Sequence, residues 1–316
     1  MPIKIPNDLP AARVLGEEGV PVIQEGDALR QDIRPMRILL LNLMPEKIKT
    51  ETQLARLLGA TPLQVELTLL RTASHISKNT PEHHLAKFYT QLADIEQQCF
   101  DGLIVTGAPV ELLDFEQVTY WRELQDIFEW GASHVLRMFF ICWGAQAALH
   151  HFFGVPKYPL PKKCFGIFPH RCLRPSARIC LGYDDLFNVP VSRHTEVRRE
   201  DVEKHEALEL LAVSDEAGPC LVQDRGTGHL FMFNHLEYDS HTLHDEYRRD
   251  LSAGKAIEVP FNYFPRDDPT QEPRNTWRSH AHLLMANWLD ILYQAAPYEV
   301  SNVHGVRPGA VPPSRR

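Results

Sequence analysis

Cys142 stands where an apolar run, residues 135–142, gives way to the helical pattern of residues 145–153. A cysteine at such a turn from strand to helix is exposed above the sheet. The unpaired N–H groups of the helix N-terminus favour its thiolate, and those of Trp143 or Gly144 can hold an oxyanion. A free cysteine is more often a buried space-filling residue, so a catalytic role for Cys142 also requires a base.

His235 is the candidate base, because it follows an apolar, strand-like run and has Glu237 two residues beyond it. In an extended segment both side chains share a face, and a small turn would also bring the carboxylate onto the imidazole. A cysteine nucleophile, a histidine base and an orienting carboxylate form a catalytic set for acyl transfer. The other histidines lack the acidic or cysteine partners of a zinc site, so we predict no metal.

Basic residues follow the predicted strands. Lys47 lies just beyond the first strand, where an ammonium group can stabilise a developing oxyanion. Lys163 precedes Cys164, and Arg249 lies on a helical stretch after the His–Glu segment. A guanidinium group pairs with a carboxylate through two hydrogen bonds. Taken singly, each of these residues is more often a solvated surface charge.

The elements that position these residues alternate between strand and helix. Residues 36–43, 63–70, 103–105 and 135–142 form apolar or alternating runs typical of strands, and helical patterns, including residues 81–99, lie between them. This order predicts an α/β fold: a single-domain, doubly wound, mainly parallel sheet with helices on both faces. Ligands in such sheets bind beyond the carboxyl ends of the strands, which here are residues 42–47, 106–111 and 142–144.

The two ends of the chain differ from this pattern. Residues 1–35 are rich in proline and are interpreted as an extended N-terminal arm, residues 36–298 as the enzymatic domain, and residues 299–316 as a flexible tail. The net charge of -8 argues against nucleic acid as a partner. The sequence shows no signal peptide, no membrane-spanning run and no CxxC pair, which predicts a cytoplasmic protein with reduced cysteines.

Several blocks together resemble the homoserine O-acyltransferase family of the class I glutamine-amidotransferase-like type, whose fold is flavodoxin-like. The resemblance covers about residues 36–293 and includes blocks in the family's order: LMPEKIKTE (43–51), DGLIVTGAPVE (101–111), FICWGAQAALHHFFGVPKY (140–158), SRHTEV (192–197), HLEYD (235–239), EYRRDL (246–251) and NYFPRDDPTQEPRNTWRSHAHLLMANWL (262–289).

The resemblance implies a homodimeric enzyme of methionine biosynthesis. Acetyl-CoA would serve as a co-substrate, no cofactor would be permanently bound, and an acyl-cysteine would form in a ping-pong mechanism. It also implies the residue roles: a nucleophile, base and orienting acid at Cys142, His235 and Glu237, oxyanion support from Lys47 and Trp143, and substrate binding by Lys163, Ser192 and Arg249.

Position 111 bears on the acyl donor in this family. Members with glutamate there are expected to use acetyl-CoA, and members with glycine succinyl-CoA. Glu111 therefore predicts acetyl-CoA, because its carboxylate would narrow the acyl pocket and repel the free carboxylate of a succinyl group.

Four residues depart from the family's usual pattern near the base and the acceptor: Val191, Asn234, Leu236 and Phe261. They leave L-serine open as an alternative acceptor to L-homoserine, since one methylene is discriminated by only about 1–3 kcal/mol. Succinyl-CoA is the alternative donor. A glutamine amidohydrolase with a cysteine elbow and a non-enzymatic protein with a decayed site are the remaining alternatives.

Overall fold

The computed structural model describes residues 3–5, 9–17, 22–24, 34–75 and 79–309. The strands are β1 (Ile3–Ile5), β2 (Val22–Gln24), β3 (Met36–Leu41), β4 (Val65–Leu70), β5 (Tyr89–Thr90), β6 (Phe100–Val105), β7 (Val135–Ile141), β8 (Tyr158–Cys172), β9 (Leu186–Glu196), β10 (Leu208–Ser214), β11 (Gly218–Asp224) and β12 (Leu230–Met232).

The α-helices are α1 (Pro10–Glu17), α2 (Lys47–Leu58), α3 (Glu82–Phe88), α4 (Leu92–Ile95), α5 (Trp121–His134), α6 (Trp143–Phe153), α7 (Arg199–Glu203), α8 (Thr242–Ser252) and α9 (Arg278–Ala295). Short 3-10 helices lie at Phe115–Gln117, Arg178–Cys180, Pro265–Asp267 and Val300–Asn302. None of these helices, within the described residues, is long and apolar enough to cross a membrane.

One twelve-stranded sheet runs through the protein in the order β2-β1-β4-β3-β6-β7-β12-β11-β10-β8-β9, with β5 beside β4. The strands from β2 to β12 in this order pair in parallel, and so does β5 with β4. The strands from β12 to β9 pair antiparallel. The predicted mainly parallel α/β sheet is confirmed. The antiparallel part, which the sequence analysis did not anticipate, forms one wall of the site described below.

Helices cover both faces of the parallel half. In β3, Ile38 and Leu40 belong to one buried cluster, while Leu39 and Leu41 belong to a second cluster on the opposite face. The first cluster includes residues of α2 and α9, and the second includes residues of α5 and α6. A strand buried on both faces must be apolar throughout, which explains the near-continuous apolar run of β3.

Two local predictions are wrong. Residues 81–99 do not form one helix, because Tyr89 and Thr90 leave the helix to pair with Leu69 and Leu70 of β4. The N-terminal segment is not simply an extended arm: α1 packs into the core through Ala11 and Leu15, and β1 joins the sheet beside β4. Pairing with a distant strand is a tertiary effect that local periodicity does not report.

The predicted flexible tail is also partly incorrect. Val303 is buried, the N–H of Gly305 donates to the carbonyl of Ser133, and the N–H of Gly309 donates to Asp224 at 2.8 Å. The carbonyl of Val306 accepts a hydrogen bond from the imidazole of His229. Residues 303–309 are therefore packed against the domain, and the rest of the predicted tail, residues 310–316, lies outside the described residues.

Candidate active site

Cys142 occupies a strained turn between β7 and α6. Its φ of 52° and ψ of -119° lie outside the regions that most side chains adopt, and its N–H donates to the carbonyl of Met232 in β12 at 2.6 Å. A Cβ at Gly144 would lie 2.6 Å from the carbonyl oxygen of Thr106, and one at Gly107 would lie 3.1 Å from the Cβ of Cys142. The two glycines let the backbone close around the cysteine, so the predicted elbow is present.

The strand beside β7 delivers His235 to the same edge of the sheet. His235 follows β12 by three residues, and its N–H donates to the carbonyl of Pro190 at 2.9 Å. Its Nδ1 lies 2.6 Å from Oε1 of Glu237, and its ring stacks on Tyr238 with 4.1 Å between centroids. The structure thus brings the His–Glu pair together through a tight turn at the end of β12.

The electrostatics of His235 suit a proton acceptor paired with a thiolate. Burial lowers the pKa of the imidazole, but the charges of Cys142 and Glu237 and hydrogen bonds to both outweigh burial and raise the pKa well above its usual value. Since Nδ1–H donates to Glu237, the Nε2 atom is left for the sulfur. The second carboxylate oxygen of Glu237 accepts no hydrogen bond from the described residues.

A cavity of about 500 Å³ opens in front of the sulfur. Cys142 and His235 lie among its lining residues, together with residues 107–113 and the predicted substrate residues Lys163, Ser192 and Arg249. The structure therefore brings together six of the predicted site residues, including Glu111, around one cavity. Glu237 does not line the cavity but contacts Nδ1 of His235. We name this space the catalytic cavity.

Glu111 is fixed at the wall of the catalytic cavity. Its Oε2 accepts a hydrogen bond from the N–H of His194 at 2.8 Å and lies 3.4 Å from the hydroxyl of Thr195. Its carbonyl accepts a hydrogen bond from the ammonium group of Lys157. The carboxylate thus joins the loop after β6 to the edge strand β9.

Glu246 connects the predicted acceptor residues and was missed by the sequence analysis. Its Oε2 accepts hydrogen bonds from Ser192 at 2.6 Å and Lys163 at 3.2 Å, and its Oε1 accepts one from Tyr238 at 3.0 Å. Glu246 lies one helical turn before Arg249 on α8 and begins the EYRRDL block. This i, i+3 spacing on one helix face was the available signal.

Arg249 faces the same cavity beside an acid. Its Nε and Nη2 atoms each lie 3.1 Å from Oδ1 of Asp250, whose other oxygen lies 3.4 Å from the ammonium group of Lys163. The two cations therefore share this carboxylate. A ligand carboxylate placed between them would meet positive charge from both sides.

Lys47 and Trp143 occupy different positions from the acceptor residues. Lys47 is not among the lining residues of the catalytic cavity, and its ammonium group donates to the carbonyls of Asn42 and Met44. Burial, partly offset by Glu51, lowers its pKa to about 8. Its amino group therefore shapes the loop after β3. The side chain of Trp143 is buried in the core, and its N–H lies at the first position of α6.

The four departures from the family pattern do not face the catalytic cavity. Asn234 donates to the imidazole of buried His170 at 2.9 Å, while Val191 and Leu236 are buried in hydrophobic clusters. Phe261 is also absent from the catalytic cavity and lines a neighbouring one. Metal binding has no clear donor set either, since no three His, Cys, Asp or Glu side chains within the described residues cluster suitably.

The fold is that of the class I glutamine amidotransferases. A glutamine amidotransferase from Thermotoga maritima superposes with a TM-score of 0.52 at 12% identity, covering 82% of this chain and 99% of that chain. Residues 2–298 match the family described as homoserine O-succinyltransferase. The chain belongs to this family.

Relatives with assigned names are similar over almost their whole length. The homoserine O-acetyltransferase of Agrobacterium fabrum is 56% identical, covering 95% of this chain and 97% of the relative. The homoserine O-acetyltransferase of Acetivibrio thermocellus is 53% identical, with 96% and 100% covered.

Proposed function

We propose that this protein transfers an acetyl group from acetyl-CoA to the side-chain hydroxyl of L-homoserine, in the biosynthesis of methionine, through an acetyl-cysteine intermediate at Cys142. The observation that carries the proposal is the 2.6 Å contact between His235 and Glu237 behind a cysteine at a strand-to-helix elbow. The names of the relatives support the acetyl donor and the homoserine acceptor.

In the first half-reaction the thiolate of Cys142 attacks the carbonyl carbon of the thioester. The negative charge passes to the carbonyl oxygen, which the N–H of Trp143 at the start of α6 can hold. When the C–O double bond re-forms, the bond to the sulfur of coenzyme A breaks, and the protonated His235 supplies a proton to that leaving sulfur. The products are coenzyme A and acetyl-Cys142.

In the second half-reaction neutral His235 removes the proton of the acceptor hydroxyl, and the oxygen attacks the acetyl carbon. Collapse of the second oxyanion breaks the bond to Cys142, which leaves as the thiolate. Glu237 holds the imidazole in the tautomer that presents Nε2 and stabilises the imidazolium that forms. Both half-reactions can use one oxyanion site, which favours a ping-pong sequence.

The charges around the catalytic cavity fit an amino-acid acceptor. Lys163 and Arg249 would pair with its carboxylate, while Glu246 would accept a hydrogen bond from its ammonium group. Ser192 donates to Glu246 at 2.6 Å and so holds that carboxylate in place. The side chain of the acceptor is then left to extend toward Cys142 and His235.

L-homoserine is the favoured acceptor over L-serine. Four departures from the family pattern had left L-serine as an alternative acceptor. Their side chains lie outside the catalytic cavity: Val191, Asn234, Leu236 and Phe261. They therefore give no packing reason for a shorter acceptor. The test measures coenzyme A release with acetyl-CoA or succinyl-CoA, each combined with L-homoserine or L-serine. Faster turnover with serine would contradict this assignment.

Glu111 is proposed to select the acetyl donor. Two like charges about 4 Å apart repel by about 1–4 kcal/mol at effective dielectric constants between water and a protein surface. The Glu111→Gly variant should therefore raise the ratio of succinyl-CoA to acetyl-CoA turnover at least about fivefold. Glu116→Gly, in the exposed segment that follows, is the matched control. An unchanged ratio in Glu111→Gly would exclude this role.

Cys142→Ala should abolish both transfer and the acetylated protein seen by mass spectrometry, because no other group replaces the thiolate. Cys99→Ala, far from the catalytic cavity, should retain both. Near-normal turnover by Cys142→Ala would refute the nucleophile assignment. Incubation with glutamine and an ammonia assay tests the amidohydrolase alternative. The homodimer and the lack of a bound cofactor remain predictions.

A further inference from the structure

A second cavity of about 870 Å³ adjoins the catalytic cavity. The two cavities share four of their lining residues: Lys163, His194, Asp250 and Lys255. The proposed function does not use this second space, which we name the outer cavity. The catalytic cavity, at about 500 Å³, must already hold the acceptor and the acetyl group.

An irregularity in β8 opens one wall of the outer cavity. The ladder pairs Pro159 with Thr195 and Cys164 with Arg193, so the four residues 160–163 of β8 face only His194 of β9. All four of these extra residues line the outer cavity. Extra residues in one strand leave backbone N–H and C=O groups out of the ladder, where they can pair with amide groups of a ligand.

Another wall is a segment whose backbone joins β8 at Phe261. The N–H of Phe261 donates to the carbonyl of Phe165 at 2.9 Å, and the N–H of Ile167 donates to the carbonyl of Phe261 at 2.8 Å. Gly166 makes this contact possible, because a Cβ there would lie 2.3 Å from the carbonyl oxygen of Phe261. The preceding residues 256–259 line the outer cavity from this side.

The outer cavity is lined by both apolar and charged side chains. Ile257 and Val259 line it, and the ring of Phe261, 52% exposed, stacks on Phe168 with 5.2 Å between centroids. Lys162 forms an exposed ion pair with Glu258. Such an exposed pair contributes little stability, so a ligand anion can take the place of Glu258 at low cost.

We propose that the outer cavity binds the pantetheine arm of the acyl-CoA donor, with the thioester directed toward Cys142 and the phosphates near Lys162. This inference rests on the proposed function. The arm combines amide groups with an apolar dimethyl carbon. It therefore matches a cavity with the backbone of residues 160–163, outside the ladder, on one side and Ile257, Val259 and Phe261 on the other.

Phe261 lies on the proposed donor side of the site. A residue that departs from the family pattern was first associated with the acceptor, but its ring lies at the outer cavity, on the proposed donor side. We therefore expect substitutions of Phe261 to change the KM for acetyl-CoA and to leave the KM for L-homoserine unchanged.

The decisive experiment fills the outer cavity and compares two donors. Ala256 is exposed and lines the outer cavity, so Ala256→Trp places an indole in the proposed path of the arm. Acetyl-N-acetylcysteamine keeps the thioester but lacks most of the arm and all phosphates. Ala60→Trp, at an exposed position away from both cavities, is the matched control.

In Ala256→Trp we expect the ratio of kcat/KM for acetyl-CoA to kcat/KM for the truncated donor to fall at least about tenfold, a loss of about 1.4 kcal/mol of selective binding. Ala60→Trp should leave this ratio unchanged. Because the truncated donor reports on the same catalytic groups, a folding defect would lower both values together. An unchanged ratio in Ala256→Trp overturns the inference.

Two further outcomes distinguish failure of the donor site from failure of the proposed function and from a change in oligomeric state. If the wild-type protein transfers no acetyl group to L-homoserine, the proposed function fails before any variant is compared. Calorimetric titration of desulfo-coenzyme A into wild type and Ala256→Trp then tests the outer cavity alone, and equal affinity overturns the inference. Equal losses for both donors, with a changed molecular mass in solution, would instead identify an interface between copies and also overturn it.

Discussion

Replacing Glu237 with glutamine tests how much the negative charge beside His235 contributes to catalysis. The carboxylate accepts the Nδ1–H of His235 at 2.6 Å in a buried setting, and glutamine retains the shape and one acceptor oxygen. A hydrogen bond to a charged group contributes about 1.5–3 kcal/mol, which corresponds to about 10- to 150-fold in rate at 1.4 kcal/mol per tenfold change. We expect kcat/KM for acetyl-CoA to fall by this factor.

The same substitution should change the pH dependence of kcat/KM for acetyl-CoA in a defined direction. The charges of Glu237 and Cys142 outweigh the effect of burial and raise the pKa of His235 well above its usual value. Without the carboxylate this pKa falls, so the imidazolium that protonates the leaving sulfur is lost at a lower pH. The basic limb of the pH profile of kcat/KM for acetyl-CoA should therefore move to lower pH in Glu237→Gln.

Two assays follow this prediction. Coenzyme A release gives kcat/KM across the pH range, and single-turnover acetylation gives the chemical step. Glu82→Gln, at an exposed position on α3, is the matched control and should behave as wild type. Unchanged kcat/KM together with an unchanged pH profile in Glu237→Gln would refute the assigned role.

Three further predictions concern stability. Asn234→Gly should reduce the free energy of unfolding by about 1–3 kcal/mol, because the imidazole of buried His170 loses the hydrogen bond donated by Asn234. The ratio of turnover with homoserine to turnover with serine should stay constant. A changed ratio would show that Asn234 contributes to acceptor choice. Burial lowers the pKa of His229 to about 4. The free energy of unfolding, measured with urea, should therefore fall as the pH is lowered from 6.5 to 4, and this residue should account for about 3 kcal/mol of the loss. His229→Gln should lose less over that interval, and an equal loss would contradict this. Val303→Ser should lower the melting temperature and Val306→Ser, which is more exposed, should not; equal effects would contradict packing of residues 303–309.

The sequence predicted those parts of the site that depend on local patterns. Cys142 was located because an apolar run and a helical pattern meet there, and His235 because Glu237 follows it by two residues. Their convergence followed from the parallel sheet, whose strands end at one edge. The resemblance to a family supplied Lys163, Ser192 and Arg249, which line the same cavity.

Contacts between distant segments could not be predicted in this way. Residues 81–99 have a helical pattern, but pairing with β4 interrupts the helix at Tyr89. Part of the predicted flexible tail is packed against the domain, because the N–H of Gly309 donates to Asp224. Propensity and periodicity describe a segment by itself, whereas these outcomes depend on which distant group lies opposite it.

The sequence by itself determined the mainly parallel α/β sheet, the elbow at Cys142 and the His–Glu pair, because alternation, helical spacing and adjacency are local properties. Only the tertiary structure decided that Glu246 connects Ser192, Lys163 and Tyr238, and that residues 160–163 open a cavity beside the site. The physical reason is that each depends on segments far apart in the chain, whose relative position is set by the packing of the whole sheet.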